Sequence, residues 1–378
     1  MIPSDRRIVF SMRKKLIIVT MIVLGALFLS ACAGGAVRGT SWPGLAADGQ
    51  TAYLADGSFI YAVDLSNGTE LWRYPGTRNG KLTFYATPAI TPDGLVIVGS
   101  AGTDHSLIAL NPADINPETK APVEAWKFTG GGDHWVAAPL ILNNKLFAVN
   151  SDGNLYVLDL QDGKSIKEAT VVKLKGRLWA QPTTDGERVY VTSLDHSVFA
   201  VNADTYDIVW HEDLGGAVPG SAVLGADGML YVGSLASKLE RFDSATGKHQ
   251  SVLDAENWVW STPAMDGDTL YFGDVAGNFY SFNTATGKSN WKPVKPDGAI
   301  TASPLVQDDH VLIATESGSV FAMGKDGKVL WTQQVGGKMY TTPVAAGDLT
   351  IVSPLETEFF LAALDANGRQ VWTFTPKN

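Results

Sequence analysis

The 378-residue chain reads as an all-β propeller behind an export leader. Three observations carry that reading. Short apolar or alternating runs bounded by Gly-containing turns recur along nearly the whole chain, and no helical period of useful length follows the leader. Strand-like starts fall at Thr51, Leu95, Lys145, Arg188, Met229, Thr269, His310 and Leu349, 39 to 50 residues apart. A motif that ends in Trp recurs with them. One such unit buries little, and a period near 40 with several short strands per unit points to blades stacked around an axis.

The N-terminus stands apart from this pattern. Arg6, Arg7, Arg13, Lys14 and Lys15 precede an apolar run from Leu16 to Leu29, and Met12 opens the basic region as a candidate start. A basic region, an apolar stretch and small residues beyond it make a secretory signal. The run is short for a membrane-spanning helix. It ends in Leu29-Ser30-Ala31-Cys32, which resembles the bacterial lipobox, and Cys32 is the only cysteine. The expected organisation is a signal peptide over 1–31, a lipidated Cys32 with a small, Gly-rich tether over 32–40, and a propeller over 41–378. The leader carries five Lys or Arg and one Asp, which leaves 24 basic against 38 acidic residues, a net charge of −14. An acidic exported domain argues against nucleic acid and against electrostatic binding to anionic lipid; the lipid on Cys32 would hold it at a membrane instead.

Unit six shows the repeat. A strand, Leu270 to Gly273, is followed by a turn with Gly277, a second strand over Asn278 to Asn283, and Thr-Ala-Thr-Gly before Trp291. The Asn283 side chain suits the turn's backbone N–H groups, and Gly287 suits a positive φ. Each unit opens on a small residue and Pro: Ala86-Thr87-Pro88, Ala137-Ala138-Pro139, Ala180-Gln181-Pro182, Ser261-Thr262-Pro263, Ala302-Ser303-Pro304 and Thr341-Thr342-Pro343. The fifth unit has Pro219 shifted ahead of Ser221. The motif itself is Ala-x-Asp-x-x-x-Gly-x-x-x-Trp, complete at Ala62, Asp64, Gly68 and Trp72. Trp126, Trp210, Trp291, Trp331 and Trp372 close further copies. Unit four has Tyr206 in place of the Gly. Unit three keeps Asp159 and Gly163 without a Trp, and unit five has Arg241 at the small position and Ser251 at the Trp position. A small residue on one strand leaves room for an indole, worth a few kcal/mol by buried area.

These residues resemble the bacterial quinoprotein-like repeat, named after pyrroloquinoline quinone (PQQ), over residues 41 to 376. The resemblance implies an eight-bladed β-propeller with four-stranded antiparallel blades, in which the six Trp dock between neighbours and the first inner strand runs from Thr40 to Ala47. Length, lipobox and blade count are similar to those of the propeller lipoprotein of the outer-membrane β-barrel assembly machinery. That implies a non-enzymatic, lipid-anchored scaffold facing the periplasm or cell exterior. It would act as a monomer within a complex and bind an envelope protein or peptide by edges or loops, including by strand addition.

Catalytic chemistry finds little support. The adjacent Cys pair of the family's dehydrogenases is absent, none of the six His forms an HxxxH or HExxH spacing, and no GxSxG occurs. The expectation is no catalytic residue, no metal and no cofactor. Asp266-Gly267-Asp268 and Asp308-Asp309 fall where every unit has a polar turn. Two alternatives stand beside the scaffold: a quinone (PQQ)-binding oxidoreductase or sensor, and a glycan-binding propeller. The candidate site is a ring of aromatics at one mouth of the channel. Tyr85, Trp179, Trp260 and Tyr340 stand three residues before the Pro of their units, Trp135 stands one residue earlier, and Trp258 adds to unit six. Packing between blades is the other use such residues have. Arg78, Lys81, Asp133, His134, Lys175, Arg177 and Lys338 are expected at the rim.

The lipobox reading has a direct test. Cys32→Ala is expected to abolish labelling by radioactive palmitate and to release the protein from membranes; persistent labelling would refute it.

Overall fold

The computed structural model describes residues 42–166 and 171–377. The leader, Cys32 and the tether lie outside the described residues. Those described form eight antiparallel sheets, each of four strands consecutive in sequence. In blade 1 these are β1 (Gly44–Asp48), β2 (Thr51–Asp56), β3 (Phe59–Asp64) and β4 (Glu70–Tyr74). The same meander repeats over residues 89–128, 140–173, 183–213, 223–254, 264–289, 305–334 and 344–374, which are blades 2 to 8. β1 therefore begins at Gly44, inside the expected span of Thr40 to Ala47. No helix occurs among the described residues.

The middle strands are apolar on both faces because each blade is covered on both sides. In β2, Ala52 and Leu54 join a cluster with Ile351, Leu361 and Ala363 of blade 8. Their alternates Tyr53 and Ala55 join Val96, Val98 and Ile108 of blade 2. The two-residue period of a strand thus assigns successive side chains to opposite seams.

Six of the eight seams are closed near the perimeter by an indole. In five blades the motif's Ala pairs across the ladder with its Trp: Ala62 with Trp72, Ala109 with Trp126, Ala200 with Trp210, Ala322 with Trp331 and Ala363 with Trp372. A bulge follows the Ala each time, the device by which a strand re-aims a side chain. Trp126 Nε1 donates to the Leu160 carbonyl of the next blade at 3.1 Å, Trp210 to Ser244 at 3.0 Å, Trp291 to Lys325 at 3.3 Å and Trp331 to Ala366 at 3.1 Å. These rings rest on Gly163, Gly247, Gly327 and Gly368 respectively. The turn glycine has two tasks. Its φ is positive, between 67° and 81° in these four, and its lack of a side chain seats the indole: a Cβ on Gly163 would lie 2.4 Å from Trp126 Cε3. Trp72 meets the inserted loop of blade 2 instead and packs with Tyr53 and Ala121.

Two seams depart from this rule. Blade 3 has no Trp, and blade 4 supplies the bulk from the other side. Tyr206 occupies the glycine's place at φ 68°, packs against Phe147 and lies under Lys145 Nζ at 5.2 Å. In blade 5 the bulge has moved to between Leu239 and Glu240, so Arg241 faces Gln250 and not Ser251.

Around the axis, hydroxyls next to the recurring Pro link neighbouring blades. Ser221 N donates to Thr262 Oγ1 at 2.8 Å, Thr262 N to Ser303 Oγ at 3.0 Å, Ser303 N to Thr342 Oγ1 at 3.2 Å, and Thr341 Oγ1 to the Pro43 carbonyl at 2.6 Å. The ring closes without a shared sheet. β1 and Gln370–Phe374 belong to different blades, and the join uses the same parts as the other seams. Trp372 Nε1 donates to the Leu65 carbonyl at 2.8 Å with its ring on Gly68, and Arg73 Nη2 donates to the Lys377 carbonyl at 2.8 Å.

Gly163 and Gly287 isolate the indole seat, because their φ values are 67° and 68° while a Cβ on Gly287 meets nothing within 4 Å. Alanine at either position carries the same backbone strain, about 1–2 kcal/mol. Gly163→Ala should cost about 1–3 kcal/mol more than Gly287→Ala by overpacking. Equal losses in urea denaturation would show that the indole contact adds no stability.

Candidate functional site

The approach to each blade's first strand fixes which side chains reach the axis. Counted from the Pro, or from Ala222 in blade 5, the fourth residue back is buried in blades 2 to 8: Phe84, Trp135, Leu178, Val218, Val259, Ile300 and Met339 are all 0–1% exposed. In the same seven blades the third residue back lines a central cavity of about 870 Å³: Tyr85, Trp179, Trp260 and Tyr340, with Val136, Pro219 and Thr301 in blades 3, 5 and 7. Adjacent residues of an extended chain point to opposite sides, so one column serves the core and the next serves the mouth.

Four of the six expected ring residues therefore share the cavity wall, and two do not. Trp135 stands in the core column. It is 1% exposed, its Nε1 donates to the His105 carbonyl at 2.7 Å, and its ring meets Tyr156 edge-on at 5.2 Å. Trp258 is exposed and off the wall. A residue absent from the expected ring, Trp42, does reach it. Its ring stacks on Tyr340 at 5.3 Å and 16°, and meets Trp260 edge-on at 5.3 Å. Trp42-Pro43 is blade 1's own copy of the residue-before-Pro signal, with an indole where other blades carry Thr, Ser, Gln or Ala.

The cavity wall is neutral. None of its lining residues is charged, and the charged residues expected at the rim are not among them. The Tyr340 phenol is pushed above its ordinary pKa by partial burial and then by the Glu316 carboxylate, so it stays a neutral donor at physiological pH. Ser261 Oγ and Thr301 Oγ1 are buried in the wall without a protein partner. The arrangement offers aromatic faces and a few hydroxyls. It does not fit PQQ, a flat tricarboxylate held with calcium, because the wall has neither cations for its carboxylates nor acidic groups for the metal.

Off the cavity wall, the fold joins residues that sequence spacing kept apart. Ligand atoms of His105, Asp133 and His134 lie within 4.8 Å of one another. Asn150 holds this loop: its Nδ2 donates to the Asp133 carbonyl at 2.8 Å, and it accepts the Asp133 N–H at 3.1 Å. Two imidazoles and a carboxylate could hold a divalent cation. No short motif signals this group, since His105 lies in a loop within blade 2 and His134 in the link from blade 2 to blade 3.

Fold and site together define an eight-bladed propeller of the quinoprotein-like type with a neutral, aromatic channel mouth. The particular family is then clear. The family model described as outer membrane protein assembly factor BamB matches residues 30–248, 170–298 and 292–378, and the chain belongs to that family. An outer membrane protein assembly factor BamB from Xanthomonas campestris is 24% identical over 335 residues, covering 73% of this chain and 79% of that protein. A tetrathionate hydrolase from Acidithiobacillus ferrooxidans is 30% identical over 156 residues, 34% of this chain and 31% of that protein. Matched stretches span from 29% to 79% of the curated relatives' lengths. The crystal structure of BamB from Moraxella catarrhalis superposes with a TM-score of 0.66 at 19% identity, over 90% of this chain and 97% of that one, a likeness of fold.

Proposed function

We propose that this chain is a non-enzymatic, lipid-anchored propeller of the cell envelope that serves outer-membrane protein assembly by holding an envelope polypeptide at its channel mouth. The observation that carries the reading is the wall formed by Trp42, Tyr85, Trp179, Trp260 and Tyr340. Partly exposed aromatics gathered in a concave, uncharged site suit side chains and main chain of a polypeptide, with affinity from area and a few hydrogen bonds. Membership in the assembly-factor family favours the outer membrane as the setting. Lipid on Cys32 would keep the domain at the membrane. The neutral wall weighs against the quinone-binding alternative. A glycan is the remaining competitor for aromatic platforms, and an array of envelope glycans would separate it.

The test is the double variant Trp179→Ser/Trp260→Ser. A photocrosslinker at position 85 in intact cells should capture an envelope polypeptide, and the double variant should weaken binding of that polypeptide by at least about 2 kcal/mol. Its melting temperature should stay close to that of the parent, because these rings line a cavity. A large fall in melting temperature, or undiminished binding, would overturn the reading.

A further inference from the structure

Seven of the eight seams contain a large aromatic side chain at the perimeter, from one blade or the other. The seam between blades 5 and 6 contains none. Blade 5 offers Gln250 and Ser251 where other blades carry Trp, and blade 6 keeps its glycine, Gly287. The side chains leave a cavity of about 270 Å³ between Arg241, Gln250, Ser251, Phe282, Thr284 and Gly287. We propose that this slot binds the tryptophan side chain of a second polypeptide, at a site separate from the channel mouth.

The seat for an indole is built in the same way as in the filled seams. Gly287 N donates to the Asn283 carbonyl at 2.9 Å, as Gly163 N donates to Asp159 at 3.0 Å. Their φ values are 68° and 67°. In the three filled seams whose turn is as long as that of Gly287, the carbonyl that receives the indole N–H stands three residues before the seat glycine: Leu160 before Gly163, Ser244 before Gly247, Leu65 before Gly68. Thr284 holds that place before Gly287. Trp210 stacks on Phe242 at 5.8 Å and 9°, and Phe282 stands in the same place in blade 6, 3% exposed on the slot floor. Every part that blade 6 would contribute to an indole seat is therefore present, while blade 5 supplies neither the indole nor the small residue beside it.

The slot also differs from its siblings in a way that points to an outside partner. Its rim residues Gln250, Ser251 and Gly287 are exposed, while Phe282 and Thr284 beneath them are buried. Arg241 replaces the small residue. Its Nη2 lies 3.8 Å from Asp227 Oδ2, and its Nε is buried with no acceptor from the protein. A guanidinium beside the slot favours an indole face. Its Nε–H suits a carbonyl that an incoming main chain would bring, since a buried donor left unpaired is costly. Cavities of about 150 Å³ already admit benzene, so the larger slot has room for an indole.

The probe is N-acetyl-5-fluorotryptophanamide, observed by fluorine NMR with the full-length protein. Saturable binding in the range of about 1 mM is expected. Gly287→Asn tolerates the positive φ and fills the seat. Arg241→Ala/Gln250→Trp supplies the chain's own indole from the residue opposite position 241. Each should weaken the probe at least about tenfold, while Trp179→Ser at the channel mouth should leave it unchanged. N-acetyl-leucinamide should not displace the probe at equal concentration. The proposal is overturned by absence of saturable binding, by binding retained in Gly287→Asn, by loss in Trp179→Ser, or by displacement with the leucine amide. If the double variant does not fold, Gly287→Asn decides alone.

Discussion

The indole laid on the next blade's turn glycine is the contact on which the rest of this structure depends. A four-stranded sheet with two apolar faces cannot stand in water alone, so each blade is stable only between neighbours. Strand alternation sends half of its side chains to each seam, and the indole closes the seam where the sheets splay apart. Truncating such a ring typically costs about 3–5 kcal/mol when it is buried, a large share of the net stability of a domain. Tyr206 indicates that what the seam requires is volume. Blade 3 lacks its Trp, blade 4 replaces the glycine with a large ring, and the gap is filled from the opposite side.

Much of the fold was legible because the repeat carried its own punctuation: the Pro before each first strand, the Asp or Asn with Gly in the outer turn, and the Trp. The glycine's second task was not legible, since a turn explains a glycine without reference to the neighbouring blade. At the mouth, the error with Trp135 was one of register. An aromatic one residue earlier looks equivalent in a loop, yet the column of Phe84, Leu178, Val218, Val259, Ile300 and Met339 marks that position as core. Trp42 was missed because it stands one residue before Pro43, where the other blades carry Thr, Ser, Gln or Ala, and not three residues before it. The group of His105, Asp133 and His134 could not be read at all, as only the folding of blade 2 brings its inner loop beside the link that follows it. Function was the least legible layer, since propellers host many activities on one scaffold, and family membership narrowed it.

The mouth and the surface obey different electrostatics. The chain is strongly acidic, with 39 acidic against 29 basic residues, while the channel wall is uncharged. The overall field keeps the protein soluble and repels polyanions. A polypeptide held at the wall would draw on aromatic area and hydroxyls, so its binding would gain little from steering and change little with salt. The outer strands of blades 1, 4, 7 and 8 each hold an aliphatic side chain in water, with Leu71, Val209, Leu330 and Val371 about half exposed, beside charged neighbours that the axis lacks.

Closure without a shared sheet has a mechanical consequence. In a ring where both chain ends contribute strands to one blade, tension on the termini is borne by a hydrogen-bonded ladder. Here the first and last blades are each complete, and the join between them is side-chain packing, Trp372 on Gly68 and a few polar contacts. Force applied between the two ends therefore loads that seam before it shears any strand. The ring opens first as a hinge between whole blades, and the blades outlast the circle they form.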